Sequence, residues 1–178
     1  MFNVIIAGTP GTGKSTLVEK IQNDLKEFNF VNLSKFAIDN DCILEYDDEL
    51  GSHVIDEDKL SDLLESHLKL KQKNVIESIH ADILPKKLVN VIFVCRTDNT
   101  ILYDRLKERK YGEEKISNNI QAEIFQTILD EARELCENDS NPSSMIAELV
   151  NNYPDDIDRK ANVIVDKIKG KLKDGAGQ

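Results

Sequence analysis

Basic side chains are in short supply in this sequence. Its 178 residues hold 23 lysines and arginines against 33 aspartates and glutamates, a formal net charge of -10. This argues against binding naked nucleic acid by neutralising backbone phosphates, and no direct nucleic acid contact is expected. Its charge suits a basic partner instead. Cysteine is scarce as well. Cys42, Cys95 and Cys136 are an odd number with no paired spacing. They argue against a metal site and for a reducing intracellular compartment, cytoplasmic or nuclear. Cys95 lies within an apolar run and reads as a core residue. No apolar run is long enough to span a bilayer, so no membrane contact is expected. No internal repeat and no interdomain linker interrupt the chain. Met1 leads directly into the first apolar run, so no targeting segment is expected ahead of the fold.

Against these absences one stretch stands out, Gly8-Thr9-Pro10-Gly11-Thr12-Gly13-Lys14-Ser15-Thr16. It reads G-x-x-x-x-G-K-S, a phosphate-binding loop. The apolar run from Phe2 to Ala7 precedes it, and Leu17, Val18, Ile21 and Leu25 follow at helical spacing. The motif therefore sits between a buried strand and a helix, as its mechanism requires. Its glycines let main-chain N–H groups close on an anion, helped by the helix N-terminus. Lys14 would reach the terminal phosphates, and the Ser15 hydroxyl would meet Mg²⁺.

The remaining pattern alternates strands with helices. Phe30 to Leu33, Asn74 to Ile76, Val89 to Cys95 and Met145 to Val150 read as further strands. Helices are expected from Ser15 to Lys26, after Asp56, after Asp98 or Thr100, from Ser117 through Leu135, and from Pro154. This order predicts one α/β domain over 1–174: right-handed βαβ units, a mostly parallel sheet and helices on both faces. Residues 175–178 are expected to fray. Asp39 to Asp58 holds nine acids and no basic residue, which reads as an exposed lobe. Arg105 to Lys115 is polar and contains Gly112, which reads as a mobile loop. Asp48-Glu49-Leu50-Gly51 fits the D-x-x-G of GTPase switches, but no apolar strand precedes it and N-K-x-D is absent. We read it as coincidence.

Ligands of such sheets bind beyond the carboxyl ends of the strands. Glu77 ends the third predicted strand, where a carboxylate holds a metal through water. Arg96, Arg105 and Arg109 are candidate charge clamps, the last two four residues apart on one helical face. His80 and Asp82 follow Glu77 and are placed to orient a water or an acceptor phosphate.

The phosphate loop resembles that of the nucleoside monophosphate kinases. Further blocks resemble the adenylate kinase isoenzyme 6 family more narrowly. They are Tyr46-Asp47-Asp48-Glu49, Ile55-Asp56-Glu57-Asp58, Val94-Cys95-Arg96-Thr97-Asp98, Leu102-Tyr103-Asp104-Arg105-Leu106 and Asn118 to Phe125. The resemblance implies a P-loop fold with a five-stranded parallel sheet, a monophosphate-binding lobe near 33–56 and a short lid near 108–118. It implies that Gly8, Gly11, Thr12, Gly13, Lys14, Ser15 and Thr16 hold ATP with Mg²⁺, that Arg109 closes from the lid, and that Asn152 and Tyr153 hold the adenine. Lys14, Arg105, Arg109, Glu77 and His80 become the catalytic candidates. The implied activity is ATP plus AMP to two ADP, with ATPase side activity. The implied setting is small ribosomal subunit maturation by a monomer bound to a basic ribosomal protein. Two departures fall on the acceptor side. Ile38 stands where many members carry an arginine, and in Glu77-Ser78-Ile79-His80-Ala81-Asp82 the histidine comes one place late. The acidic lobe would repel an AMP phosphate unless Lys35 or a main-chain site compensates. The alternative reading is therefore an ATPase assembly factor with little AMP kinase activity.

Overall fold

A computed structural model describes residues 1–47, 51–137 and 145–176. The first strand, β1 (Phe2–Ala7), lies at the centre of a five-stranded parallel sheet. Its neighbours are β5 (Lys73–Ser78) and β6 (Val91–Arg96), with β2 (Asn29–Asn32) and β7 (Met145–Val150) at the edges, in the order β2-β5-β1-β6-β7. All the pairs are parallel. A central parallel strand is covered on both faces, which is why Val4 to Ala7 form an unbroken buried run. Side chains alternate between the two faces. Val4 and Ile6 pack with Leu17 and Ile21 of α1 (Lys14–Gln22) and Ile164 and Ile168 of α7 (Ile157–Ala176). Ile5 and Ala7 pack on the other face with α2 (Leu33–Asp39), α3 (Glu57–Lys69) and α6 (Thr127–Glu137).

Two helices, α4 (Asn99–Glu108) and α5 (Glu113–Ile124), form a small third layer in which Leu102 and Leu106 meet Ile116. The acidic lobe is α2 followed by an antiparallel hairpin of β3 (Ile43–Asp47) and β4 (Ser52–Ile55). Asp56 caps α3 by accepting from Lys59 N at 3.0 Å, and Asp98 caps α4 through Thr100 N at 2.9 Å. Both satisfy orphan N–H groups of a first turn.

Several boundaries differ from those read from sequence. The first helix stops at Gln22 rather than Lys26. Leu33 opens α2 instead of closing β2, because the Asn32 side chain caps that helix through Lys35 N at 3.0 Å. A 3₁₀ turn over Pro154–Asp156 precedes α7, and α7 runs through Ala176, past the expected fraying point at 175. The loop expected from Arg105 to Lys115 shrinks to 109–112, since α4 reaches Glu108 and α5 starts at Glu113. Glu113 and Glu114 favour that early start by sitting in the first turn. The single helix expected from Ser117 to Leu135 is two, broken where Gln126 takes φ 59°. Ile124 and Ile128 have the spacing of one helical face. Ile128 is 8% exposed but Ile124 is 53% exposed, because α5 packs on α4 while α6 packs on the sheet. The loop expected over 138–144 and three residues of the D-x-x-G match, 48–50, lie outside the described residues.

Candidate functional site

Parallel register brings the site together. Ile6 of β1 lies beside Glu77 of β5, so the phosphate loop leaves β1 directly alongside that carboxylate. The chain leaves β1 toward β2 on one side and leaves β5 toward β6 on the other, so the switch lies between these two adjacent strands, the point where such folds open a crevice. The loop requires glycine in two places above all. Gly13 has φ 92°, and a Cβ there would fall 1.9 Å from Asn151 Nδ2. Gly11 has φ 93°, and a Cβ there would meet Leu102 Cδ1 at 2.8 Å.

A cavity of about 630 Å³ opens over the loop. Thr9 to Gly11 and Gly13 to Thr16 form its floor, and Glu77, Ile79, His80, Arg109 and Lys115 stand in its wall. Lys14 is 7% exposed, with Nζ donating to Gly8 O at 2.6 Å and Thr9 O at 3.1 Å. Burial lowers its pKa, and Arg109 adds to that, against the pull of Glu77 and Glu123. An anion in the cavity would replace those carbonyls as the partner of the ammonium. The Ser15 hydroxyl donates to Glu77 Oε1 at 2.5 Å, and Asn32 Nδ2 donates to Glu77 Oε2 at 2.9 Å. A hydroxyl beside a fixed carboxylate is a set of hard oxygen donors, the chemistry Mg²⁺ accepts.

His80 also lies in the wall. Its Nδ1 is 3.3 Å from Glu131 Oε1, and Ala81 N donates to the other oxygen of Glu131 at 2.9 Å. The Glu131 hydrogen bond raises the His80 pKa, against partial burial. Burial works against the Glu131 charge, but His80 and the Ala81 amide outweigh it and its pKa falls. Both shifts favour an imidazolium–carboxylate pair. Asp82 completes a group whose ligating atoms lie within 4.8 Å of one another.

Other expected site residues stand elsewhere. Arg105 is outside the cavity wall. Its guanidinium donates to Gly11 O at 3.2 Å, Asn151 O at 3.0 Å and Asn152 O at 3.0 Å, tying the phosphate loop to the segment after β7. Arg96 is turned away too: Glu123 of α5 takes its Nε, and Glu148 lies 3.5 Å from Nη1. Asn152 Oδ1 accepts from Asp98 N at 2.9 Å, while Tyr153 is 63% exposed, and neither borders the cavity. Gly8 and Thr12 shape the loop from behind, with Thr12 Oγ1 donating to Thr9 O at 2.8 Å. Lys35 is exposed and outside the wall.

Sequence reading missed two residues that hold the loop in shape. Glu123, 3% exposed, accepts from Thr9 Oγ1 at 2.9 Å, from Arg96 and from Thr97 N at 3.2 Å. The one available signal was an acid on the inward face of an amphipathic helix. Asn151, 2% exposed, donates to Thr12 O at 2.9 Å and packs behind Gly13. Nothing in the sequence sets it apart from Asn152.

A Gly-rich loop between central strand and helix, with its lysine, hydroxyl and strand-end carboxylate around one cavity, defines a P-loop nucleotide-binding protein of the kinase type. A family model described as "AAA domain" matches residues 4–126. An adenylate kinase isoenzyme 6 homolog of Drosophila melanogaster is 47% identical over 147 residues, 83% of this chain and 80% of that protein. A putative adenylate kinase of Sulfurisphaera tokodaii is 37% identical over 162 residues, 87% and 84% of the two chains. Among solved structures, a putative kinase from Chloroflexus aurantiacus aligns with a TM-score of 0.61 at 18% identity, over 98% of this chain and 97% of that one. That likeness concerns the fold. The chain belongs to the adenylate kinase isoenzyme 6 family.

Proposed function

We propose that the protein transfers the γ-phosphoryl group of ATP to a nucleoside monophosphate, AMP first, giving two nucleoside diphosphates. The observation that carries this reading is one cavity holding both halves of the reaction. The phosphate loop and Arg109 stand at one end, and Ser34 of α2, Ser52 of β4 and Ile79 extend the wall into the lobe. A bare ATPase needs room for a water; a wall that draws on both the phosphate loop and the lobe favours a second substrate.

Transition-state charge spreads over the transferring phosphoryl oxygens. Lys14 gives up its two carbonyl partners and binds those oxygens, while the loop N–H groups hold the rest of the triphosphate. Ser15 and Glu77 would hold Mg²⁺, directly or through water, and the ion would neutralise phosphate charge. Arg109, at the C-terminal end of α4, approaches from the far side and excludes water as α5 closes. The test is a coupled assay with each monophosphate in turn. Acceptor-dependent ADP formation supports the reading; the same rate with and without acceptor ends it.

A second reading has its own support. His80 faces the cavity with a carboxylate on its Nδ1, an arrangement able to orient a water against ATP. The acidic stretch from Asp39 to Asp58 complements a basic protein. Hydrolysis would then switch a monomer's grip on a basic small-subunit ribosomal protein during subunit maturation, in cytoplasm or nucleus. Salt-sensitive capture that changes with ATP supports it, and capture indifferent to nucleotide refutes it.

A further inference from the structure

Apart from the His80 imidazolium, which Glu131 already pairs, the lobe end of the cavity is lined by neutral and acidic groups. Ser34 and Ser52 are neutral, and Glu131 stands beside His80. Ile38 is 51% exposed and carries no charge. No lysine or arginine occurs between Asp39 and Asp58. An acceptor phosphate entering there meets a field that opposes it. A cation must therefore come from another element.

Among the described residues of the wall, the lysines and arginines are Lys14, Arg109 and Lys115. Lys14 belongs to the phosphate loop, and Arg109 ends α4. Lys115 reaches from the first turn of α5 across the opening to the hairpin, where Nζ donates to Gly51 O at 2.5 Å. The Tyr111 ring lies beneath the same ammonium, 4.6 Å from its centroid. An ammonium has three N–H donors, so one carbonyl leaves capacity for an anion. Lys115, Asn118, Asn119 and Ala122 all line the cavity, at the spacing of one helical face. Asn119 Nδ2 donates back to Lys115 O at 2.6 Å and fixes that turn.

We propose that Lys115 is the side chain that binds the acceptor's phosphate, supplied by the lid helix because the lobe offers no cation. This deepens the kinase reading and rests on it. Before the acceptor arrives, the Gly51 carbonyl holds the ammonium at the cavity mouth. A phosphate oxygen is the stronger partner, since it carries negative charge and adds an ion pair where the carbonyl offers only a dipole. α5 would then touch both substrates. Lys115 contacts the acceptor, while Glu123 on the same helix grips Thr9 of the phosphate loop. Acceptor binding and the set of the ATP loop become linked through one rigid element.

The test compares wild type with Lys115→Met and Lys115→Arg, all with Mg²⁺ and a non-hydrolysable ATP analogue in place. Calorimetry reads the Kd of AMP, of adenosine and of the analogue, and a coupled assay reads KM for AMP. In Lys115→Met the AMP Kd should weaken by about tenfold or more, the loss of one charge-assisted bond. AMP should lose its advantage over adenosine, the analogue should bind as before, and Lys115→Arg should recover most of the loss. An AMP Kd unchanged in Lys115→Met overturns the assignment, as does an equal loss for adenosine, which would mark a merely structural lysine. If wild type binds AMP through Lys115 yet makes no ADP, the kinase reading fails and the assignment stands. If ADP forms and KM for AMP ignores Lys115, the reverse holds. Wild type that binds neither AMP nor any other nucleoside monophosphate overturns both.

Discussion

Removing the charge of Glu123 tests whether the phosphate loop is held from behind by α5. Its carboxylate is 3% exposed and has three donors around it, Thr9 Oγ1, the Arg96 guanidinium and Thr97 N. Breaking a buried ion pair from one side costs about 3–5 kcal/mol when the other charge is stranded. Glu123→Gln falls below that range for two structural reasons. The amide oxygen can keep the bonds from Arg96 and Thr97, and the Thr9 hydroxyl can rotate to accept from the new NH₂. Arg96 also keeps Glu148, 3.5 Å away, and retains 16% side-chain exposure. The remaining loss is about 2 kcal/mol.

With a urea m-value of about 2 kcal/mol/M for a domain of this size, the unfolding midpoint falls by about 1 M with the slope unchanged. Glu148→Gln is the matched control. Its carboxylate is 43% exposed, so the same chemical change costs less than about 1 kcal/mol. ATP affinity should drop in Glu123→Gln and not in Glu148→Gln, because only Glu123 touches the loop. If the two variants shift the midpoint equally, Glu123 is an ordinary acid and the argument that α5 braces the loop is wrong.

Arg109→Ala should lower kcat by about 10²-fold or more while ATP affinity changes little, because its charge matters most as transition-state charge develops; a loss confined to ATP binding refutes it. Gly13→Ala should abolish ATP binding in a protein that still folds by circular dichroism, since the added Cβ falls 1.9 Å from Asn151 Nδ2; ATP bound at wild-type affinity refutes the loop geometry. The His80–Glu131 pair should stabilise in one pH window. The raised His80 pKa contributes below the ordinary value of 6.5 and is lost as pH rises through the folded value, while the depressed Glu131 pKa contributes above 4.5 and is lost as pH falls. With His80 55% exposed the benefit is under about 1 kcal/mol, so wild type and His80→Gln should differ between those limits and converge at alkaline pH. A constant difference across the whole range would exclude the ion pair.

Local rules made the loop and the strands legible. A G-x-x-x-x-G-K-S between an apolar run and an amphipathic helix allows one arrangement, and parallel register then puts Glu77 beside it. The cap Asp56 was legible for the same reason, since it acts on the helix that follows it directly, and the α4 cap was legible as Asp98 or Thr100, of which the structure uses Asp98. The remainder depended on contacts between distant segments. Arg96, Arg105 and Arg109 are alike in sequence, and their fates diverge through partners far along the chain. Glu123 takes the first, the carbonyls of Gly11, Asn151 and Asn152 take the second, and the cavity keeps the third. The break at Gln126 was hidden because Ile120, Ile124 and Ile128 keep helical spacing across it.

If α5 closes over the cavity as proposed, that break has a mechanical use. A continuous helix would fasten the lid to α6, whose Ile128, Leu129 and Ala132 are buried in the sheet core. Interrupting it after Ile124 leaves α5 attached to the core at its end through Glu123 and Thr9, and to the lobe at its start through Lys115 and Gly51. Of these two attachments, the first is nearly fully buried and the second lies at the cavity mouth. If α5 moves during turnover, its Lys115 end should move and its Glu123 end should stay. Hydrogen exchange with and without ADP and AMP checks this. Amides near Gly112 to Ile116 should gain protection when both nucleotides bind, and those of Ala122 to Ile124 should be protected throughout. Uniform exchange along α5 in both states would mean that the helix moves as one piece and that the break at Gln126 has no part in closing the lid.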